Sequence, residues 1–395
     1  MKKILTSAAL LFAAALAFIS CGDKDSTAPG YGVKIPDLVL DFDKSVIQAS
    51  GNDVVTFRAF FKGEDVSASS TLFLVEGNNN YTPLTSMKFS ASKVGNYTFQ
   101  VAHGTSKSDF VKISAISKEI PKAPADSEPQ STDFVHRTFL NQHTGAECPN
   151  CPFMTFLLKK TLTDELKDKV VLASVRNYGG ESPTFANVPN PASSWPYLHI
   201  DYAENCVYNA GTTALKSIIE RRTSSPAVVG ISATPVYHED GQILVTVAVK
   251  AAVAGEYNVG LWLMQDGYYK KQKVDNGRLS LLEGTWGDSY DYHNNSVRVA
   301  ESKYLGSHIG YPLGRLEAGQ TKEWRFVVNV NLGTAEYGFI DHWWEGYGDG
   351  KVHLEDLHFA AFVTTPTTDD DGVLRYTVVN AIDFPYNQPA PFDYK

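Results

Sequence analysis

From residue 31 to residue 116 apolar and polar positions alternate in short runs: Val39-Leu40-Asp41-Phe42, Val54-Val55-Thr56-Phe57-Arg58-Ala59-Phe60-Phe61, Thr71-Leu72-Phe73-Leu74-Val75 and Tyr97-Thr98-Phe99-Gln100-Val101. A period of two turns one set of side chains toward a core, so each run predicts a strand. Turn-forming clusters at Gly51-Asn52-Asp53, Gly63-Glu64-Asp65, Gly77-Asn78-Asn79-Asn80 and Val94-Gly95-Asn96 separate them. Short strands at this spacing predict a small β-sandwich. After residue 132 the period changes. A strand over 134–140 runs through a turn at Gly145 into apolar residues at helical spacing, Phe153, Phe156, Leu157, Leu162 and Leu166. That spacing predicts a helix reaching Lys167-Asp168-Lys169, with basic residues in its last turn favouring the helix dipole. The continuous apolar run 170–175 predicts a buried strand, Pro196 opens another over 197–202, and a second helix is predicted from Thr212 to Arg222. From Pro226 onward alternation returns in long runs over 242–249, 257–263, 324–330, 359–363 and 376–381. These predict a second sandwich, with an insertion across 265–320.

Two segments interrupt this pattern. Residues 117–131 carry three prolines, several charges and little apolar bulk, and read as a linker. The N-terminus places Lys2-Lys3 before an apolar run from Ile4 to Ile19, the layout of a signal peptide. The run is short for a membrane span, and no later segment reaches the ~20 apolar residues that a spanning helix needs. Ser20-Cys21-Gly22 closes it, a small residue before a cysteine that resembles the lipobox of bacterial lipoproteins. That resemblance implies cleavage before Cys21 and its lipidation, and thus an exported protein whose membrane contact is the anchor. The polar stretch 22–30 is then a tether, and its acidic residues resemble surface-export signals.

Composition narrows the functional classes. The chain has 395 residues, enough for two to three domains at about 100–200 residues each. The 21 Phe and 20 Tyr agree with a body built mostly of sheet. A net charge of −9 and the lack of a basic stripe disfavour nucleic-acid binding. No Gly-rich phosphate loop and no Ser-His-Asp signature occurs, and nothing in the sequence implies a cofactor.

One cluster carries chemistry. Cys148-Pro149-Asn150-Cys151 lies between a predicted strand and an amphipathic helix. A cysteine at a helix N-terminus faces free amide N–H groups and the dipole, which favour its thiolate over the thiol, below the usual pKa of ~8.5. Two intervening residues bring the second sulfur within reach of a mixed disulfide on the first. In that reading Cys148 is the attacking nucleophile, Cys151 the resolving thiol, and Pro149 fits the first helical turn. Glu147 is a modulator, since a carboxylate beside the thiol raises its pKa and opposes the helix effect. The alternatives are a fixed disulfide, common in exported proteins, and a zinc site, for which His136, His143 and Cys206 are the nearest further ligands by sequence. Cys206 itself reads as a small buried hydrophobe.

Three resemblances follow from these residues. Gly95-Asn96-Tyr97-Thr98-Phe99 resembles the penultimate strand of bacterial immunoglobulin-like domains. The order strand, C-x-x-C, helix, strand, then a proline opening another strand resembles the thioredoxin fold. In that fold a cis-proline facing the dithiol shapes the substrate groove, and Pro196 in Trp195-Pro196 is the matching position. More narrowly, 144–152, Tyr292-His293-Asn294-Asn295-Ser296-Val297-Arg298, Trp324, Phe359-Ala360-Ala361-Phe362-Val363 and Val379-Asn380-Ala381 resemble a family of envelope lipoproteins related to a twenty-eight-kilodalton outer membrane protein. Family signatures carry an aromatic residue where this chain has Glu147. The likeness runs over roughly 133–385 and implies location and fold more than activity.

The expected chain is therefore multidomain and mainly β. A lipoprotein signal peptide (1–21) and tether (22–30) precede an Ig-like β-sandwich (31–116) and a linker (117–131). A thioredoxin-like α/β domain (132–225) and a C-terminal β-sandwich (226–395) follow. Two functions follow for an outer membrane lipoprotein on its periplasmic or surface face. One is thiol–disulfide exchange with a protein or small thiol. The other is a non-enzymatic surface, adhesion or ligand-binding role with a structural disulfide. Weaker signals are Asp349-Gly350 and Asp369-Asp370-Asp371-Gly372, which read as solvated acidic turns before Ca²⁺ sites, and Trp343-Trp344, which reads as packing before carbohydrate stacking.

Overall fold

The computed structural model describes residues 36–77, 80–176, 195–275, 290–304, 308–330, 354–368 and 374–395, together with residues 178, 188 and 282. The leader, Cys21, the tether, Trp343-Trp344 and the acidic turns at Asp349 and 369–371 lie outside these residues. The protein is mainly β, with several sheets.

The alternation of the first module is realised strand by strand. Its strands are β1 (Leu38–Phe42), β2 (Val46–Gln48), β3 (Val55–Phe61), β4 (Glu64–Asp65), β5 (Thr71–Glu76), β6 (Asn80–Pro83), β7 (Lys88–Phe89), β8 (Gly95–His103), β9 (Ser106–Lys107) and β10 (Val111–Ile116). In β1, Leu38, Leu40 and Phe42 are buried while Val39 and Asp41 between them are half-buried, as a pleat with one covered face requires. One sheet runs β1-β3-β4 with β7 on β3, and the other runs β2-β10-β8-β5-β6 with β9 on β8.

The next elements are β11 (Thr138–Thr144), α1 (Cys151–Thr161), β12 (Val170–Arg176), β13 (Tyr197–Ile200), β14 (Glu204–Cys206) and α2 (Thr212–Arg222). β12 lies parallel to β11 on one side, and β13 lies antiparallel on the other with β14 beyond it. Both helices cover one face of this sheet: Leu140 of β11 packs with Met154, Leu157 and Leu158 of α1 and Leu215 and Ile219 of α2. Cys206 is buried in the same cluster. The first helix is shorter than its periodicity predicts. It ends at Thr161, where the Leu162 N–H bonds to the Leu158 carbonyl, and a separate 3-10 turn spans Lys167–Lys169. Breaking there lets the chain fold Leu166 back into the core before β12 begins. β13 likewise stops at Ile200, because Asp201 and Tyr202 take left-handed backbone angles, φ 53° and 55°.

The chain continues with β15 (Val229–Tyr237), β16 (Gln242–Ala251), β17 (Gly255–Gln265), β18 (Tyr268–Tyr269), β19 (Tyr292–His293), β20 (Ser296–Glu301), β21 (Lys303–Tyr304), β22 (His308–Ile309), β23 (Tyr311–Leu316), β24 (Thr321–Asn329), β25 (Leu357–Thr368) and β26 (Leu374–Pro385). A nine-stranded sheet runs β14-β13-β11-β12-β20-β17-β25-β26, with β23 also on β17. The strands on either side of the expected boundary at 225/226 thus share one sheet. The join is Ser174 of β12 opposite Ser296 of β20, with the Ser174 N–H donating to the Asn295 carbonyl at 2.8 Å. β20 and β23 fall within the expected insertion, yet both pair with β17 in that sheet.

The sheet β15-β16-β24 packs against β17, β25 and β26 in a sandwich-like arrangement. Its core continues into the first module: Phe42 touches Trp324 and Tyr311, with ring centroids 5.8 and 6.4 Å apart. On the other face of the long sheet, Phe139 of β11 stacks on Phe362 of β25 at 4.8 Å and meets Trp262 of β17 edge-on. Residues 117–131 have almost no regular structure but are held down. Lys250 of β16, 1% exposed, donates to Asp126 and to the carbonyls of Glu128 and Pro129, and Thr246 donates to the carbonyl of Pro121.

Candidate functional site

The dithiol turn grows out of a strand buried along its whole length. All seven residues of β11 are buried, and the chain leaves it through Gly145. A side chain at that position would meet the Tyr178 carbonyl oxygen at 2.6 Å, so the close approach requires glycine. The Cys148 N–H then bonds back to the Gly145 carbonyl at 3.2 Å, and the Cys151 N–H to the Cys148 carbonyl at 3.3 Å. Helix α1 begins at Cys151, so Cys148 lies ahead of the helix and Pro149 belongs to the preceding turn. The first-turn proline is Pro152. It has no N–H to offer, which trims the donor set that would stabilise a thiolate at this end.

Cys148 and Cys151 form a disulfide, S–S 2.09 Å with Cα atoms 5.4 Å apart, and both residues are buried, 2% and 1% exposed. Glu147, beside them, points outward and pairs with Lys273. The hydrogen bond and charge of Lys273 hold the Glu147 carboxyl below its ordinary pKa, so its negative charge stands next to a compensating cation. The Trp195–Pro196 peptide is cis, and Pro196 is buried at the start of β13. Trp195 reaches the dithiol turn through Tyr178: the two rings meet edge-on at 5.6 Å, and Tyr178 lies against Gly145.

Residues far off in the sequence complete the site. The side-chain amide of Gln272, 8% exposed, sits among the carbonyls of Ala146 (2.9 Å), Cys148 (3.1 Å), Gly145 (3.3 Å) and Lys273 (2.9 Å). Only the amide nitrogen, with its two hydrogens, fits a ring of acceptors. The Lys273 N–H donates to the Ala146 carbonyl and the Asp275 N–H to the Pro149 carbonyl. No local pattern marks Gln272, which lies 124 residues from Cys148.

On the face away from the helices, buried Asn141, His143, His199 and Tyr202 and half-buried Tyr197 form a polar and aromatic cluster. Asn141 bonds to His143 and to the Tyr202 hydroxyl, and the His143 and His199 rings meet edge-on at 5.8 Å. Burial first, and then the neighbouring His143, push the His199 pKa down to about 3. His143 is thus spoken for within the core, and His136 lies apart, its ring against the Ser225 carbonyl. Among the described residues no group of three His, Cys, Asp or Glu is arranged to hold a metal ion.

No family model matches the chain, and no curated protein matches it. Among solved structures, HBP35 of Porphyromonas gingivalis is similar to it at a TM-score of 0.47 and 16% identity, over 66% of this chain and 78% of that one. The functional reading therefore rests on the chain itself.

Proposed function

We propose that this chain is an exported, lipid-anchored protein of the bacterial cell envelope with a thioredoxin-like domain, and that its Cys148–Cys151 pair takes part in thiol–disulfide exchange. The observation that carries the exchange reading is the placement of the pair. A disulfide sits where a central strand turns into a helix, in the strand order β12-β11-β13-β14 with both helices on one face. Three positions apart in that turn, with Cα atoms 5.4 Å apart, the cysteines are close enough for Cys151 to resolve a mixed disulfide on Cys148. The Lys273 cation offsets the Glu147 charge that would otherwise disfavour a Cys148 thiolate. Lipid anchoring is supported by Ser20-Cys21-Gly22 after the apolar run, and is tested by fatty-acid labelling that Cys21→Ser abolishes.

One observation favours a second reading, a fixed disulfide in a non-enzymatic surface protein: both sulfur-bearing residues are buried. Equilibration of the full-length protein with glutathione buffers separates the two. A potential between about −120 and −270 mV places the pair with exchange proteins, whereas one below about −300 mV marks a structural disulfide and ends the exchange reading.

A further inference from the structure

Nucleophilic exchange at a disulfide needs a clear line of approach to one sulfur, along the axis of the bond to be broken. Here both cysteines are buried, 2% and 1% exposed, and the backbone of the turn that carries them is bonded to a segment distant in sequence. Residues 270–275 follow β18 and bond to the carbonyls of Gly145, Ala146, Cys148 and Pro149 in the dithiol turn. Gln272 bonds to three of those carbonyls, and the Lys273 and Asp275 N–H groups bond to Ala146 and Pro149. Lys273 adds its ion pair with Glu147 on the outer side.

The base of the segment is anchored separately. The Lys270 N–H donates to the Asp291 carbonyl and the Gln272 N–H to the Asp291 carboxylate, both at 2.8 Å, while His293 meets the Lys270 carbonyl at 2.9 Å. The returning arm touches α1 through Tyr290, whose ring lies 4.5 Å from the Lys159 ammonium. Gln272 belongs to both sets, its N–H bonding to Asp291 and its side chain to the turn.

We propose that residues 270–275 are a built-in cover over the Cys148–Cys151 disulfide, latched by Gln272, which must lift before an external thiolate reaches Cys148. The inference deepens the exchange reading and rests on it for its biological meaning. With the cover raised, a reductant thiolate attacks the Cys148 sulfur. The new S–S bond forms as the Cys148–Cys151 bond breaks, and Cys151 leaves with the electron pair as a thiolate. The second thiolate of a dithiol such as dithiothreitol then displaces Cys148 and closes its own cyclic disulfide. Two electrons have passed to the protein, and each cysteine thiolate takes a proton from water.

The test is the rate at which dithiothreitol reduces the disulfide in the full chain, read by acid quench, alkylation and mass. Gln272→Ala removes the latch and should raise that rate about tenfold, because reduction follows the open population. Lys273→Glu sets two carboxylates against each other at an exposed position and should raise it about threefold, while the same charge change at exposed Lys271, Lys271→Glu, leaves it unaltered. A Gln272→Ala rate within about twofold of the parent overturns the cover. If Gln272→Ala does not fold, as its circular dichroism would show, Lys273→Glu decides: a rate equal to that of Lys271→Glu overturns the proposal. The equilibrium reduction potential of the same samples tests the exchange reading independently. A structural-range potential with accelerated variant rates leaves the cover standing and removes the exchange role.

Discussion

The two ends of the nine-stranded sheet bury different kinds of side chain. Where β17 and β25 face the sandwich, the buried residues are Val259, Leu261, Leu263, Phe359, Ala361 and Val363. Where β11 and β13 lie, buried Phe139, Leu140, Leu198 and Ile200 are joined by buried Asn141, Gln142, His143 and His199, with Asp201 just past the end of β13. The backbone ladder is common to both, so the contrast lies in what each end does with its enclosed volume. The apolar end gains from area and dispersion. The end with the polar cluster gains from area too, and its buried hydrogen bonds add directional constraints. Gln142 illustrates this by linking Ser174 of β12 to Thr155 of α1. The dithiol turn emerges from the end where position, rather than stability, is most tightly specified.

The sharpest break of this contrast comes from β24, in the sheet that packs on the apolar end. Trp324→Ala removes a ring that is 1% exposed and packed on Phe42 and Tyr311. It should lower the unfolding free energy by about 3–5 kcal/mol in denaturant titrations while leaving the disulfide's reduction potential unchanged. A loss below about 1 kcal/mol would show that the first module and the sandwich do not share a working core.

pH acts on the two ends in opposite directions. Burial alone would push His358 of β25 down, but the hydrogen bonds and charges of Asp266 and Asp383 outweigh it and raise its pKa to about 9. Its folded pKa lies above the ordinary 6.5, so this stabilisation is complete below pH 6.5 and is lost as pH rises through about 9. His199 is held down at about 3, so its contribution is complete above pH 6.5 and is lost as pH falls through about 3. Each slope is at most about 1.4 kcal/mol per pH unit. His358→Gln should flatten the alkaline limb of a stability–pH curve and His199→Gln the acidic limb. Unchanged limbs in both variants would assign the pH dependence elsewhere.

Smaller effects sharpen the comparison at the turn. Gly145→Ala drives a methyl group into the Tyr178 backbone and should cost about 1–3 kcal/mol, with faster amide exchange over 145–151 than in the sandwich. Uniform acceleration across both ends would count against a local packing constraint. Glu147→Gln, at an exposed position, should leave the denaturation midpoint unchanged. A lower midpoint would mean that the Glu147–Lys273 pair does more than hold the cover.

Elements marked by near neighbours in the chain could be read directly. The second helix runs from Thr212 to Arg222 as its spacing predicts, β16 and β17 contain the runs expected over 242–249 and 257–263, and β24 covers the run expected over 324–330 up to Asn329. The early end of α1 was not legible, because Leu162 and Leu166 keep helical spacing while serving the core from a turn. Nor did Pro149 announce that the helix waits until Cys151, since Pro149 and Pro152 each suit a first turn by sequence.

By itself the sequence determined the local features of this protein: the alternation of strands, two amphipathic helices and a cysteine pair at a strand-to-helix turn. These depend on residues a few positions apart, where periodicity and turn chemistry act. Only the tertiary structure decided that Ser174 and Ser296 would join two regions into one sheet, that Lys250 would dock residues 126–129, and that Gln272 would bond to the Cys148 carbonyl. Backbone pairing and a single amide among carbonyls are satisfied by groups that every residue, or any glutamine, carries. Nothing in the identity of those residues points to a partner more than a hundred positions away; only the folded chain brings the donors and acceptors together.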